Sequence, residues 1–332
     1  TKTKRITGEK WIIYGPRDYI HQFEVEVKET RKSIPLDENE CIYVQNERTG
    51  ELFAVKGTTY MLQAHEKLWI KELPVEVENL LEVAASGKSY VSPTVDAKGN
   101  LVYDNKVDSG VAKRVGHKVV TLKVPHNSAC QVYDYKQNIS RICFGPELVA
   151  LEPNEQFTVL TLSGGKPKRE GVIKTLCLSL GPDFMTDIVI VETSDHAQLS
   201  LTLSYNWYYV VDDQSAKLFS VRDFVGDTCK SIASRIRGCV SGVTFEDFHH
   251  HSSEKIREAV FGKDNEGNIK DQFKFDANGL VVTSVDIQNV EITDEITRKN
   301  LSKSINLAIE IATKNQENKA LYTSLKIDQQ AE

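Results

Sequence analysis

The sequence predicts a multidomain chain in which antiparallel β modules are followed by an α+β layer and then by a long C-terminal α-helix. Three observations carry this expectation. A proline phrase, Ile34-Pro35-Leu36-Asp37-Glu38-Asn39-Glu40-Cys41-Ile42-Tyr43, is answered by Val124-Pro125-His126-Asn127-Ser128-Ala129-Cys130-Gln131-Val132-Tyr133, with an apolar-Tyr pair at the same offset from each proline. The odd positions from Ala197 to Tyr209 are apolar and alternate with polar residues, which is the period of a half-buried strand. Beyond Thr293 there is no Gly or Pro, and Leu301, Ile305, Ala308, Ile309 and Ala312 fall on one helical stripe.

The first module reads as short strands. Phe23, Val25 and Val27 alternate with Glu24, Glu26 and Lys28 and predict a strand. Cys41 to Val44 and Leu52 to Val55 predict a hairpin around Arg48-Thr49-Gly50. Pro35 and Pro125 stand at strand entrances, where the missing N–H costs least. Gly-Pro pairs recur at 15–16, 145–146 and 181–182, and the first module is expected to close at Gly57. In the second module, 84–116 is rich in Ser, Gly, Lys, Asp and Asn and is read as a mobile insertion. The module resumes at Val119 and ends in the polar break from Ser163 to Gly171. The domain spans are therefore 1–57 and 58–171 for the β modules, 172–292 for the α+β layer and 293–332 for the helix.

In the α+β layer, Ser220-Val221-Arg222-Asp223 reads as a capping box, after which Val225, Cys229, Ile232, Ile236 and Cys239 share a helical face. Thr244-Phe245-Glu246-Asp247 caps a second helix ending near Phe261-Gly262, and Val281, Val285 and Ile287 predict a returning strand. About forty helical residues beyond Thr293 would reach roughly 60 Å, too far for one small domain to cover. The stripe Leu301, Ile305, Ala308, Ile309 and Ala312 is therefore expected to pack against another copy of the chain.

Composition narrows the function. A net charge of −6 argues against a general nucleic-acid-binding surface. No stretch approaches the ~20 apolar residues that span a bilayer. The six cysteines lack CxxC spacing and sit mostly in apolar runs, as reduced, buried thiols do. The chain begins without methionine and stops inside a helical pattern, so it is expected to be a piece of a longer protein.

No catalytic, cofactor or metal site is assigned. Three consecutive imidazoles at His249-His250-His251 point about 100° apart on a helix and are read as a solvated face. Gly164-Gly165-Lys166 lacks phosphate-loop spacing and is followed by Pro167. No serine lies in G-x-S-x-G, and Cys143 and Cys177 read as core. Lys166-Pro167-Lys168-Arg169 is read as a solvated turn.

Many phrases, in order, carry a resemblance. Among them are Gly15-Pro16-Arg17-Asp18-Tyr19, Ile34-Pro35-Leu36-Asp37-Glu38-Asn39-Glu40, Leu68-Trp69-Ile70-Lys71-Glu72-Leu73-Pro74, Phe144-Gly145-Pro146-Glu147-Leu148-Val149, Leu180-Gly181-Pro182-Asp183-Phe184, Asp223-Phe224-Val225-Gly226-Asp227 and the run from Asn278 to Gln288. On these the chain resembles the major vault protein family, whose members form the shell of the vault ribonucleoprotein particle. The resemblance covers nearly the whole chain, although 84–116 matches the family poorly.

The resemblance implies wall β-repeats up to about Gly171, a shoulder domain with a stomatin/band-7-like (SPFH) fold to about Ile292, and then the start of a cap helix. It implies a non-enzymatic, cytoplasmic homo-oligomer, with copies standing side by side in a ring. In the parent particle it further implies vault-associated proteins, vault RNA and a minor association with the nuclear envelope, with no direct nucleic-acid binding by this chain. The alternative is a stomatin-like peripheral membrane or signalling scaffold using Lys166 to Arg169, which ranks below it because no acylation motif or hydrophobic hairpin accompanies the turn.

Overall fold

The computed structural model describes residues 5–87, 94–95, 101–102, 114–211, 215–295, 298–299, 303, 306–307 and 309–319. The chain falls into two compact units, one holding 1–162, 171–181 and 212–223, the other 163–170, 182–211 and 224–332.

The first unit contains two copies of one hydrogen-bonding plan. Strand β1 (Cys41–Asn46) pairs antiparallel with β2 (Leu52–Lys56) across the expected hairpin. The turn forms because the Asn46 side chain accepts from the N–H groups of Arg48 and Thr49, while Gly50 takes a φ of 75° that suits glycine. The other edge of β1 is shared. Its C-terminal half pairs with β3 (Glu66–Leu68), and its N-terminal half meets 117–119 through an Ile42–Lys118 bridge and the bond from Val119 N–H to Cys41 C=O. Helix α1 (Val75–Ala85) comes next and buries Val77, Leu80 and Val83. Short strands β4 (Thr94–Val95) and β5 (Leu101–Val102) pair with each other inside the expected insertion, whose other residues from 88 to 113 lie outside the described ones.

The second copy repeats the plan. After β6 (Thr121–Val124), strand β7 (Ser128–Asp134) pairs with β8 (Ile139–Phe144), and Asp134 takes the role of Asn46 by accepting from Lys136 and Gln137 N–H. Strand β9 (Glu147–Ala150) returns to β6. The free edge of β7 is again divided, here between β10 (Glu155–Phe157) and, after the hairpin β11 (Leu160–Gly164) and β12 (Arg169–Thr175), strand β13 (Cys177–Ser179). The closing glycines correspond too: Gly57 N–H donates to Glu40 C=O and Gly145 N–H to Ser128 C=O.

One core serves both modules. Tyr43, Val77, Leu80, Leu122, Val132, Leu151 and Phe157 belong to a single buried cluster. This explains why β1 alternates poorly: all four of its first residues, Cys41 to Val44, are buried, so apolar side chains are needed on both faces.

The expected strand at Phe23 to Val27 does not form. Residues 23–27 have no ladder, and Phe23 and Val27 are exposed. Alternation supplies a wet and a dry face only when a neighbouring strand takes up the backbone groups, and within 5–40 the pairing found ahead of β1 is the Ile34–Tyr60 bridge. The Gly-Pro pairs also differ: the peptide bonds at 15–16 and 145–146 are cis, whereas Gly181 sits at a φ of 74° ahead of Pro182 without a cis bond.

The second unit is a sheet with two helices. Its strand order is β14-β15-β17-β16, built from β14 (Asp183–Glu192), β15 (Gln198–Tyr209), β16 (Phe273–Lys274) and β17 (Leu280–Ile292). Along β15 the expected odd row, Leu199 to Tyr209, is buried. Helix α2 (Phe224–Val240) starts three residues later than a capping box led by Ser220 would place it, because 220–223 form a bend and turn, and it buries Cys229, Ile232 and Ile236, with Val225 and Cys239 at the rim of that face. Helix α3 (Phe245–Phe261) is capped as expected by Thr244, whose side chain accepts from Asp247 N–H, and stops at Gly262 with a φ of 72°. Strand β17 departs from simple alternation because Val281 and Val282 are both buried. The register with β15 shifts between Asn206 and Trp207 and again between Thr202 and Leu203, and each extra residue flips the facing of the strand beyond it.

Candidate assembly elements

Three groups of residues can serve contacts beyond the chain or hold the parts that make them. The first is the junction between the β modules. Tyr43 is fully buried; its hydroxyl donates to Leu151 C=O at 2.9 Å and accepts from Val120 N–H at 3.3 Å, while Trp69 packs edge-on against its ring. Beside it, Lys71 is only 4 % exposed, donates to the carbonyls of Glu152 at 3.2 Å and Pro153 at 2.6 Å, and has its nitrogen 5.9 Å from the Tyr43 ring centre. Arg114 braces the same place through the carbonyls of Lys71, Gly116 and Lys118. The outer strands β2 and β8 then occupy equivalent rims of the two modules, each paired along one edge by its hairpin partner.

Lys71 carries a pH signature. Burial pushes its ammonium down to about 8, with the charge of Glu155 pulling the other way. Between about pH 8 and 10.5 the unfolded chain therefore binds more protons than the folded one, so stability rises with pH across that window. The expected gain is on the order of 2–3 kcal/mol from this residue. Denaturant melts at pH 7.5 and 10 should show it, and Lys71→Met should flatten the rise.

A second anchor is Arg141. Its guanidinium grips Glu155 in bidentate fashion, Nε to Oε1 at 2.8 Å and Nη2 to Oε2 at 2.9 Å. Glu155 is 6 % exposed and its Oε2 also accepts from Glu152 N–H at 2.8 Å. Burial works to raise the Glu155 carboxyl, but the bonds from Arg141 and Glu152 N–H outweigh it and hold the group below the usual carboxylate range.

In the second unit, β14 is the outer strand of the sheet. Arg237 Nε donates to Ile190 C=O at 3.1 Å, and Lys168 N–H donates to the buried Asp187 carboxylate at 3.0 Å, so two groups already sit along this strand. Phe184 and Ile190 project from it into solvent.

The third element is the C-terminal helical stretch. Of the stripe read from the sequence, Ile309 and Ala312 are described and both are exposed, while Leu301, Ile305 and Ala308 lie outside the described residues. All described side chains from 298 to 319 are exposed, including Leu307 and Ile311, and the ion pairs Lys299–Glu295 and Lys314–Glu310 run along the helix itself.

The histidines and most of the basic turn weighed for chemistry lie on the surface, whereas Cys143 is buried and Cys177 half-buried as expected of core. His249, His250 and His251 are exposed on α3, with His251 Nδ1 3.1 Å from Asp247 Oδ1. Lys166, Pro167 and Arg169 are exposed in the β11–β12 turn. Among the described residues no three His, Cys, Asp or Glu side chains come together as a metal-donor set, and no helix is long and apolar enough to cross a membrane. Sequence reasoning marked Tyr43 as part of the repeat but not its buried bonds to Val120 and Leu151, and it did not single out Lys71 or the Arg141–Glu155 pair, since their partners come from other strands and loops.

Comparison with known proteins matches three successive segments. A model described as "Major Vault Protein repeat domain" matches residues 33–91, a second repeat-domain model of that protein matches 119–180, and one described as "Shoulder domain" matches 181–294. The chain is 51% identical over 330 residues to major vault protein alpha of Dictyostelium discoideum, a match covering 98% of this chain and 37% of that protein. It is 51% identical over 330 residues to the major vault protein of Strongylocentrotus purpuratus, again 98% of this chain and 37% of the relative, and 49% identical over 345 residues to that of Homo sapiens, 99% and 38%. The chain thus spans a little over a third of the length of these relatives. Repeat and shoulder models succeed one another along it in the order in which the β modules and the sheet-and-helix unit occur, and the chain belongs to the major vault protein family.

Proposed function

We propose that this chain is a non-enzymatic structural subunit of a hollow vault particle in the cytoplasm, with copies aligned side by side. The spans 1–57 and 58–171 act as the last wall repeats, 172–292 as the shoulder with an SPFH-like fold, and 293–332 as the start of a cap helix that packs laterally as a coiled coil. The pairing of β3 with β1 extends the working end of the first repeat to Leu68. Wall repeats meet through the outer edges of β2 and β8. Vault-associated proteins and vault RNA are partners of the assembled particle and not of this segment directly.

The observation that carries this reading is the C-terminal helical stretch, whose described residues include Leu307, Ile309, Ile311 and Ala312 and leave all of these side chains exposed within the chain. A helix of such length gains most of its stability from an apolar face buried against something else. Packing of this stripe against a different face of the helix of a laterally adjacent copy is a heterologous contact, the kind that closes a ring. Sedimentation velocity of the chain with and without residues 293–332 tests this. The intact chain is expected to form faster-sedimenting, concentration-dependent species that the shortened one lacks; identical monomers in both samples would count against helix-driven assembly.

A further inference from the structure

Three thiols stand abreast in the second β module. Because β7 has β8 on one edge and β13 on part of the other, Cys130 is directly opposite Cys143 on one side and Cys177 on the other. Directly opposed residues of antiparallel strands project to the same face with Cα atoms about 4.5–5.5 Å apart, which lies within the span of a disulfide. Cys130 and Cys143 belong to the core cluster, Cys177 packs against it, and all three are free thiols.

The three differ in their electrostatic surroundings. Cys130 is fully enclosed, and burial followed by the charges of Cys143 and Cys177 pushes its thiol far above the ordinary range. Burial alone drives Cys177 up to about 11. Cys143 is raised by burial as well, but Arg141 opposes the shift, and Arg141 Nη1 donates to Cys143 Sγ at 3.2 Å. Its guanidinium is held in place by Glu155, so the sulfur of Cys143 has a fixed cation on it.

We propose that Cys143, Cys130 and Cys177 form a peroxide-responsive disulfide site within the second module. The Cys143 thiolate attacks the O–O bond of a hydroperoxide, forming an S–O bond and releasing hydroxide or alkoxide; the sulfur is oxidised by two electrons and the peroxide reduced. Cys130 sulfur then attacks the Cys143 sulfenic acid, its proton leaves with the departing oxygen as water, and a Cys130–Cys143 bond forms. Cys177 can attack the Cys130 sulfur in turn, its proton passing to the released Cys143 thiolate, and the bond moves to Cys130–Cys177. Either bond ties β7 covalently to a neighbouring strand.

Hydrogen peroxide at millimolar concentration, followed by alkylation under denaturing conditions without reductant and peptide mapping, tests this on the native chain. The expected product has lost two hydrogen atoms, contains a Cys130–Cys143 or Cys130–Cys177 peptide pair, and returns to free thiols with dithiothreitol, while Cys41, Cys229 and Cys239 are alkylated. Peroxide treatment that yields sulfinic or sulfonic acid, untouched thiols, or bridges elsewhere overturns the proposal. Cys143→Ser is expected to slow bridging at least about tenfold, whereas Cys239→Ser leaves the rate unchanged. Bridging at the native rate in Cys143→Ser would overturn the assignment of Cys143 as the point of attack.

Discussion

Replacing Gly145 with alanine is expected to destabilise the first unit by about 3–5 kcal/mol, a large share of the stability of an ordinary domain. A Cβ built on Gly145 would lie 1.8 Å from the Pro125 carbonyl oxygen and 2.7 Å from its carbon, with Val124 oxygen at 2.9 Å. All three obstacles are backbone atoms, so no side-chain rotation relieves them. The segment cannot simply move away either, because Gly145 N–H is bonded to Ser128 C=O and Val124 is paired with Glu147 in the β6–β9 ladder. Gly57, which makes the corresponding closing bond, has its nearest obstacle at 3.5 Å, and its constraint is instead a φ of 59°. Gly57→Ala should therefore cost only about 1 kcal/mol. Urea denaturation of the two variants measures the difference; equal midpoints would show that the Gly145 segment can relax.

Arg141→Ala is expected to cost about 3 kcal/mol at neutral pH. It leaves the Glu155 carboxylate buried with Glu152 N–H as its remaining direct partner and withdraws the bond from Arg141 to Ala150 C=O. Glu155 titrates below its ordinary value when folded, so its contribution is present above the unfolded carboxylate range and is lost as pH falls through the folded value. The gap between native and variant melting curves should consequently narrow below about pH 4. A gap independent of pH would mean that lost packing of the Arg141 side chain, and not its charge, sets the cost.

Much of the local structure was legible in the residues. The β1–β2 turn was marked by Arg48-Thr49-Gly50, the start of α3 by Thr244 and Asp247, its end by Gly262, and the long β15 strand by unbroken alternation. These signals act within a few residues, where hydrogen-bonding geometry and φ preferences decide the outcome. The Phe23 to Val27 alternation looked the same yet gave no strand, since a ladder needs a partner that the pattern cannot supply. The cysteine row was not read from the residues, which marked Cys143 and Cys177 as core and nothing more. The turn at Lys136 to Asn138 already sets Cys130 opposite Cys143, but the arrival of Cys177 on the other edge depends on a return over more than forty residues.

By itself, then, the sequence determined the order of parts: two β modules, a sheet with two helices, and a helical segment with an apolar stripe. Periodicity, caps and turns are properties of neighbouring residues, so they survive without a fold around them. Tertiary structure alone decided how the edges of β1 and β7 are shared, which backbone presses on Gly145, why Lys71 is buried with its charge, and which acid meets Arg141. Each of these depends on chain segments brought together by burying a common core around Tyr43 and Leu151, and the free energy of that burial depends on the whole unit, not on any short stretch of it.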